Sequence, residues 1–167
     1  MERIPWEVGE GKFSDAYVAG FFDGDGSLVA TLEKLPSKYS RTYRPRLKIN
    51  FTQHMRHVHM LYALKEYLGM GKVRVALRHE LAELVIVNRE NIETLLQRMV
   101  PHLILKKQQA FLALEAISLL GKNNRTNRIS DSKFNNVFEH IIKIRVLNAK
   151  TGGKKNLSSL DPVTTSR

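Results

Sequence analysis

The sequence of 167 residues predicts an α+β fold, with helices packed on one face of a twisted antiparallel four-stranded sheet. Three observations predict it. Segments that alternate apolar and polar residues come in pairs, a segment of helical period precedes each pair, and longer helical segments close the chain.

The first helix lies in Tyr17-Val18-Ala19-Gly20-Phe21-Phe22-Asp23-Gly24-Asp25-Gly26-Ser27. Ser14 or Asp15 can cap its start, and Gly24 and Gly26 supply the stop. Val18, Phe21 and Phe22 fall on an apolar face suited to a core. Ala16, Gly20 and Gly24, flanked by Ala19, form a stripe with almost no side chain, along which another helix can approach closely. The alternation Leu28 to Glu33 predicts a strand with Leu28, Ala30 and Leu32 inward and Val29, Thr31 and Glu33 on the other face. After a loop containing Pro36, Lys38, Tyr39 and Arg41, a second strand runs from Arg44 to Thr52. There Leu47, Ile49 and Phe51 alternate with Arg44, Arg46, Lys48 and Asn50.

Val58, Leu61, Leu64 and Leu68 recur at helical spacing, and Gly69 and Gly71 mark a turn. A third strand, Lys72 to Arg78, places Val73, Val75 and Leu77 inward and Lys72, Arg74 and Arg78 outward. Ala82 to Val87 completes a hairpin with Leu84 and Ile86 inward. Helical segments follow over Asn91 to Met99, Lys107 to Leu120 and Ser132 to Leu147. The remaining tail, Asn148 to Arg167, contains Gly152-Gly153-Lys154-Lys155 and reads as a flexible end able to touch phosphates. With no internal repeat and no long linker, residues 1–167 read as one domain with its core at about 14–147.

Composition narrows the partners. Lys and Arg number 27 against 16 Asp and Glu, a net charge of +11, which favours a polyanion and nucleic acid ahead of anionic membrane. No apolar run approaches spanning length and the N-terminus lacks a secretory h-region, so an intracellular protein is expected. Zero cysteines exclude disulfides and thiolate zinc sites. His54, His57 and His59 cluster in sequence, but without cysteine or an HExxH pattern they do not read as a zinc site. Tyr39, Tyr43 and Trp6 can stack on bases or sugars, with packing the safer reading for Trp6. A sheet with one apolar face and one rich in Arg, Lys and amides suits the DNA major groove.

Asp25 sits where a helix carries partial negative charge, so its carboxylate calls for a compensating cation. If two such helices meet along their bare faces, two carboxylates converge and create a place for a divalent metal. An EF-hand starting at Asp23 fails, because Leu28 stands where glycine is required and Lys34 where glutamate is required.

The string from Tyr17 to Ser27 resembles the signature of the LAGLIDADG homing endonucleases, present once, as in the single-motif members that act as homodimers. The αββαββα order of that family matches nearly the whole chain. The resemblance implies that Asp25 is the metal-bridging aspartate and that the Gly24 carbonyl is a further metal ligand. Gln53 falls on the residue that orients solvent near the scissile phosphate, and Lys106 on the active-site lysine. A second basic residue falls on His57 or the adjacent Arg56. Ala16, Ala19, Gly20 and Asp23 are expected at the dimer interface, Asp23 mainly supporting the helix junction.

Thr31, Lys38, Tyr39, Arg41, Arg44, Arg46, Lys48, Asn50, Lys72, Arg74 and Arg78 are expected to read or grip double-stranded DNA. The activity implied is a double-strand break with short 3′ overhangs in a long pseudo-palindromic target. It would need Mg2+, with Mn2+ as a substitute and Ca2+ binding without supporting cleavage, and the gene would lie in an intron. The alternative on the same fold is an RNA-splicing maturase or a non-cleaving DNA-binding regulator.

Overall fold

In a computed structural model, residues 13–39, 41–121 and 129–148 are described. Trp6 lies outside them, and so does the predicted tail of about residues 148–167 except for Asn148, whose Nδ2 donates to the Leu28 carbonyl at 2.7 Å.

The element order is α1 (Asp15–Asp25), β1 (Gly26–Lys34), β2 (Tyr43–His54), α2 (Val58–Leu68), β3 (Lys72–Ala76), β4 (Leu81–Ile86), α3 (Arg89–Met99), α4 (Lys107–Leu120) and α5 (Asp131–Leu147). The four strands form one antiparallel sheet in the order β1-β2-β4-β3. Leu28, Ala30, Ile49, Phe51, Ala82, Leu84 and Ile86 share one face and join the core with Phe22, Leu61, Leu64, Ile92, Leu96, Ala113, Val137 and Ile141 from the helices. The helices thus cover one side of the sheet, as the alternation requires.

Local chemistry sets the boundaries. Ser14 caps α1, its hydroxyl accepting from the Tyr17 N–H at 3.1 Å. Asn88 and Ser130 do the same for α3 and α5. Gly26 turns the chain directly from α1 into β1. A Cβ there would lie 2.6 Å from the Phe22 Cα, so only glycine fits this junction. Pro45 lies in the half of β2 that outruns β4, whose last partner pair is Ile49 with Ile86. Its missing N–H therefore costs no ladder bond on that side.

Three expectations are corrected. The third strand ends at Ala76, and Leu77 to His79 form a single 3-10 turn closed by Glu80 in the left-handed region at φ 52°. Leu77 therefore points to solvent, 73 % exposed, and Arg78 belongs to a turn rather than to the sheet surface. Ala19 is fully buried in its own core, because its position on α1 faces the neighbouring helices, so it leaves the bare stripe to Ala16, Gly20 and Gly24.

Arg41 is the third. Its Nη2 donates to the Ile129 carbonyl at 2.7 Å and pairs with Asp131 at 3.0 Å, while the guanidinium lies 4.3 Å from the Phe134 ring centre. It clamps the β1–β2 loop to the start of α5 and is not presented to DNA. Arg41→Ala should cost about 1–2 kcal/mol in urea unfolding, the sum of a buried-side hydrogen bond and a cation–π contact. The salt dependence of DNA binding should stay unchanged, unlike that of an arginine that grips phosphate.

Candidate functional site

The site grows from the end of α1. The helix runs to Asp25, so the last carbonyls of its final turn, those of Phe22 and Asp23 among them, stand at its negative end. Lys106 answers that charge. Its Nζ donates to the Phe22 carbonyl at 2.9 Å and also to the Asp23 carbonyl. Burial pushes the Lys106 ammonium below its ordinary range, while the carboxylates of Asp23 and Asp25 pull in the opposite direction. Lys106 therefore sits on the helix end itself, in the field of Asp25.

Asp23 explains how Lys106 arrives there. One Asp23 oxygen, Oδ2, accepts from the backbone N–H groups of Ile104 at 2.7 Å and Leu105 at 3.1 Å. The other, Oδ1, accepts from the Lys106 N–H at 2.9 Å. The carboxylate seats the turn before α4 on the end of α1, fulfilling the helix-junction role and directing the side chain away from the bare stripe.

Burial raises the Asp23 pKa, but the three backbone donors outweigh it and hold the carboxyl below 3.8. Because the folded pKa is depressed, this stabilisation is complete above the unfolded value near 3.8 and disappears as pH falls through the folded value. Asp23→Ala should lower stability by about 2–3 kcal/mol at neutral pH, from charge-assisted bonds. That deficit should shrink below the unfolded pKa, measured by chemical denaturation across the acid range.

Gln53 is the third member. It lies one residue before the end of β2, opposite Ala82 of β4, and its Nε2 donates to Asp25 Oδ2 at 3.0 Å. The structure thus brings Asp25, Gln53 and Lys106 together from three separate parts of the chain. Arg56 and His57 lie in the 3-10 turn after β2, and Arg56 Nε donates to His57 Nε2 at 3.1 Å. The permanent cation of the pair is the Arg56 guanidinium.

Gly20 and Gly24 have nothing within 4 Å of a Cβ, and Ala16 and Asp25 are exposed, so this stripe is open along α1. Ile104 and Leu105, 84 % and 72 % exposed, stand beside the end of the same helix. Among the described residues no cluster of three or more His, Cys, Asp or Glu can hold a metal. One copy of the chain offers a single carboxylate here, and Asp25 Oδ1 has no protein hydrogen bond among those residues. A hard divalent cation takes six or more oxygens, so Asp25 of one copy supplies only part of such a shell.

The uncovered face of the sheet carries Thr31, Arg44, Arg46, Lys48, Lys72 and Arg74 at alternate positions. Asn50 shares that face but is only 6 % exposed, packed between Ser27 and Val85 on neighbouring strands. Its direct reach to a base is corrected by that burial. Lys38 and Tyr39 sit together in the β1–β2 loop, the ammonium 5.5 Å from the ring centre. Sequence reasoning missed Glu33, whose carboxylate holds both Arg44 and Arg46. Its signal was present in the parity of β1, which puts Glu33 on the cationic face.

Comparison with known proteins decides the family. A profile described as LAGLIDADG endonuclease matches residues 18–117. The chain belongs to the LAGLIDADG endonuclease family. Its relatives include DNA endonuclease I-CreI of Chlamydomonas reinhardtii, 30 % identical over 132 residues that span 79 % of this chain and 77 % of that protein. DNA endonuclease I-CvuI of Chlorella vulgaris is 30 % identical over 105 residues, spanning 63 % of this chain and 64 % of the relative.

The crystal structure of I-CvuI with its target, in the presence of 2 mM Ca, superposes with a TM-score of 0.72 at 28 % identity. The superposition covers 84 % of this chain and 83 % of that one. A second I-CvuI structure, with the I-CreI target and 2 mM Mg, contains uncleaved DNA and superposes equally well. The LAGLIDADG fold expected from the signature is therefore the fold observed, and the two relatives are DNA endonucleases, I-CvuI with structures in the presence of Ca and of Mg. Among the described residues no helix is long and apolar enough to cross a membrane.

Proposed function

We propose that this LAGLIDADG endonuclease acts inside the cell as a homodimer of single-domain chains. It makes a Mg2+-dependent double-strand break in one long, pseudo-palindromic DNA sequence, and its gene lies in an intron. One observation carries the reading. Asp25 stands exposed at the end of α1, held by Gln53 and faced by Lys106, at the end of a stripe without side chains.

Two copies packed along Ala16, Gly20 and Gly24 would bring two Asp25 carboxylates and two negative helix ends together. That convergence is costly by itself. The two Lys106 ammoniums, bound to the terminal carbonyls, offset part of it. Asp25, through Oδ1, and the Gly24 carbonyl would hold a divalent cation, which when bound supplies charge stabilisation at the phosphate and lowers the pKa of water.

Gln53 fixes the Asp25 carboxylate through Oδ2, and its amide oxygen would order solvent near the scissile phosphate. Lys106 keeps a positive charge beside the site where the pentavalent phosphate gathers negative charge. Arg56, hydrogen-bonded to His57, supplies the further cation. Lys48, Lys72 and Arg74 on the uncovered sheet face anchor and read the duplex in the major groove.

The test is incubation of the purified protein with a plasmid library of randomised inserts in Mg2+, Mn2+ or Ca2+, followed by sequencing of the cut ends. One long target with short 3′ overhangs, cut in Mg2+ and Mn2+ but not Ca2+, is expected. Salt-sensitive binding without metal-dependent cutting would overturn the nuclease reading and leave a binding protein on the same fold.

A further inference from the structure

Arg44 and Arg46 share a single carboxylate on the uncovered face of the sheet. Glu33 Oε2 accepts from Arg44 Nε at 3.1 Å, from Arg44 Nη2 at 2.8 Å and from Arg46 Nε at 2.9 Å. The register explains the meeting. Glu33 lies opposite Arg44, and Arg46 lies opposite Thr31, two residues back on the same face of β1.

The two arginines are held differently. Arg44 uses Nε and one terminal nitrogen, leaving only Nη1. Arg46 gives Glu33 its Nε alone, so Nη1 and Nη2 have no partner among the described residues, and the side chain is 55 % exposed. Two free terminal nitrogens in one plane are the donor pair that matches O6 and N7 of guanine.

A free arginine on a strand pays rotamer entropy to reach that geometry and can equally fold back onto a phosphate. An arginine tethered through Nε does neither. The carboxylate does not abolish the attraction for DNA, because its single negative charge faces the two positive charges of Arg44 and Arg46.

We infer that Glu33 is a specificity-determining positioning residue, which orients Arg46 to read one guanine in each half-site of the target. This rests on the site-specific DNA-cleaving reading above. Removing the charge of Glu33 should have two effects of opposite sign. Discrimination at that base pair should weaken, while affinity for unrelated DNA should rise, because an anion leaves the cationic face.

The experiment is selection from DNA with randomised half-sites using wild type, Glu33→Gln and Arg46→Ala, with affinity for unrelated duplex measured at fixed salt. Wild type should demand guanine at a position where Arg46→Ala loses about 10- to 100-fold of the preference. Glu33→Gln should flatten preference at that same position, and bind unrelated DNA more tightly where Arg46→Ala binds it more weakly. A merely structural Glu33 would alter stability and leave the preference profile unchanged.

If wild type selects a defined sequence and Glu33→Gln keeps every preference, or loses one at a different base pair from Arg46→Ala, this inference alone is overturned. If wild type selects no sequence, the site-specific reading falls as well.

Discussion

Asp25→Asn is expected to lower cleavage by about 10³-fold or more while target binding survives. The substitution is nearly isosteric, and the remaining side-chain oxygen can still accept from Gln53 Nε2, which now bonds Asp25 Oδ2 at 3.0 Å. Lys106 and the Asp23-seated turn are bonded to the backbone and to each other, so the local structure has no reason to collapse. What disappears is the negative oxygen offered to the cation.

Binding should even tighten slightly in metal-free buffer, since one anion less faces the phosphates. Rates on the selected target and equilibrium binding by anisotropy separate the two effects. A variant that cuts at wild-type speed would place the chemistry elsewhere.

Gly20→Leu is expected to abolish both dimer formation and cleavage without unfolding the subunit. Nothing lies within 4 Å of a Cβ at Gly20, and the residue is exposed, so the leucine meets no atom of its own chain. Within one copy the change should favour the helix by about 0.8 kcal/mol, since glycine is a poor helix former. Between two copies it acts as a wedge, because close approach depends on side chains that are absent. Sedimentation equilibrium should therefore show a folded monomer, with unchanged helical circular dichroism and no double-strand cutting. A variant that stays dimeric and active would place the interface away from α1.

Much of this was legible in the sequence because it depends on short-range periodicity. The alternation of β2, the spacing in α2 and α3 and the glycine-rich end of α1 each report a local rule. Asp25, Gln53 and Lys106 were placed by a family signature, and folding draws them to one point. The less legible parts involve partners distant in sequence. Arg41 looks like any loop cation until Ile129, 88 residues on and just before α5, supplies its carbonyl. Asn50 reads as exposed by strand parity, but Ser27 and Val85 on the flanking strands close over it. The end of β3 was missed because the turn uses Glu80, not glycine, in the left-handed region.

The measurement that tests the composite site most directly uses the absence of cysteine from the sequence. In Gly20→Cys the introduced thiol is unique, and a disulfide forms only between residues whose Cα atoms come within about 7 Å. Mild oxidation should give a covalent dimer that still cuts both strands of the target in Mg2+. A protein that cuts both strands as a monomer and never cross-links would contradict a site shared between two copies.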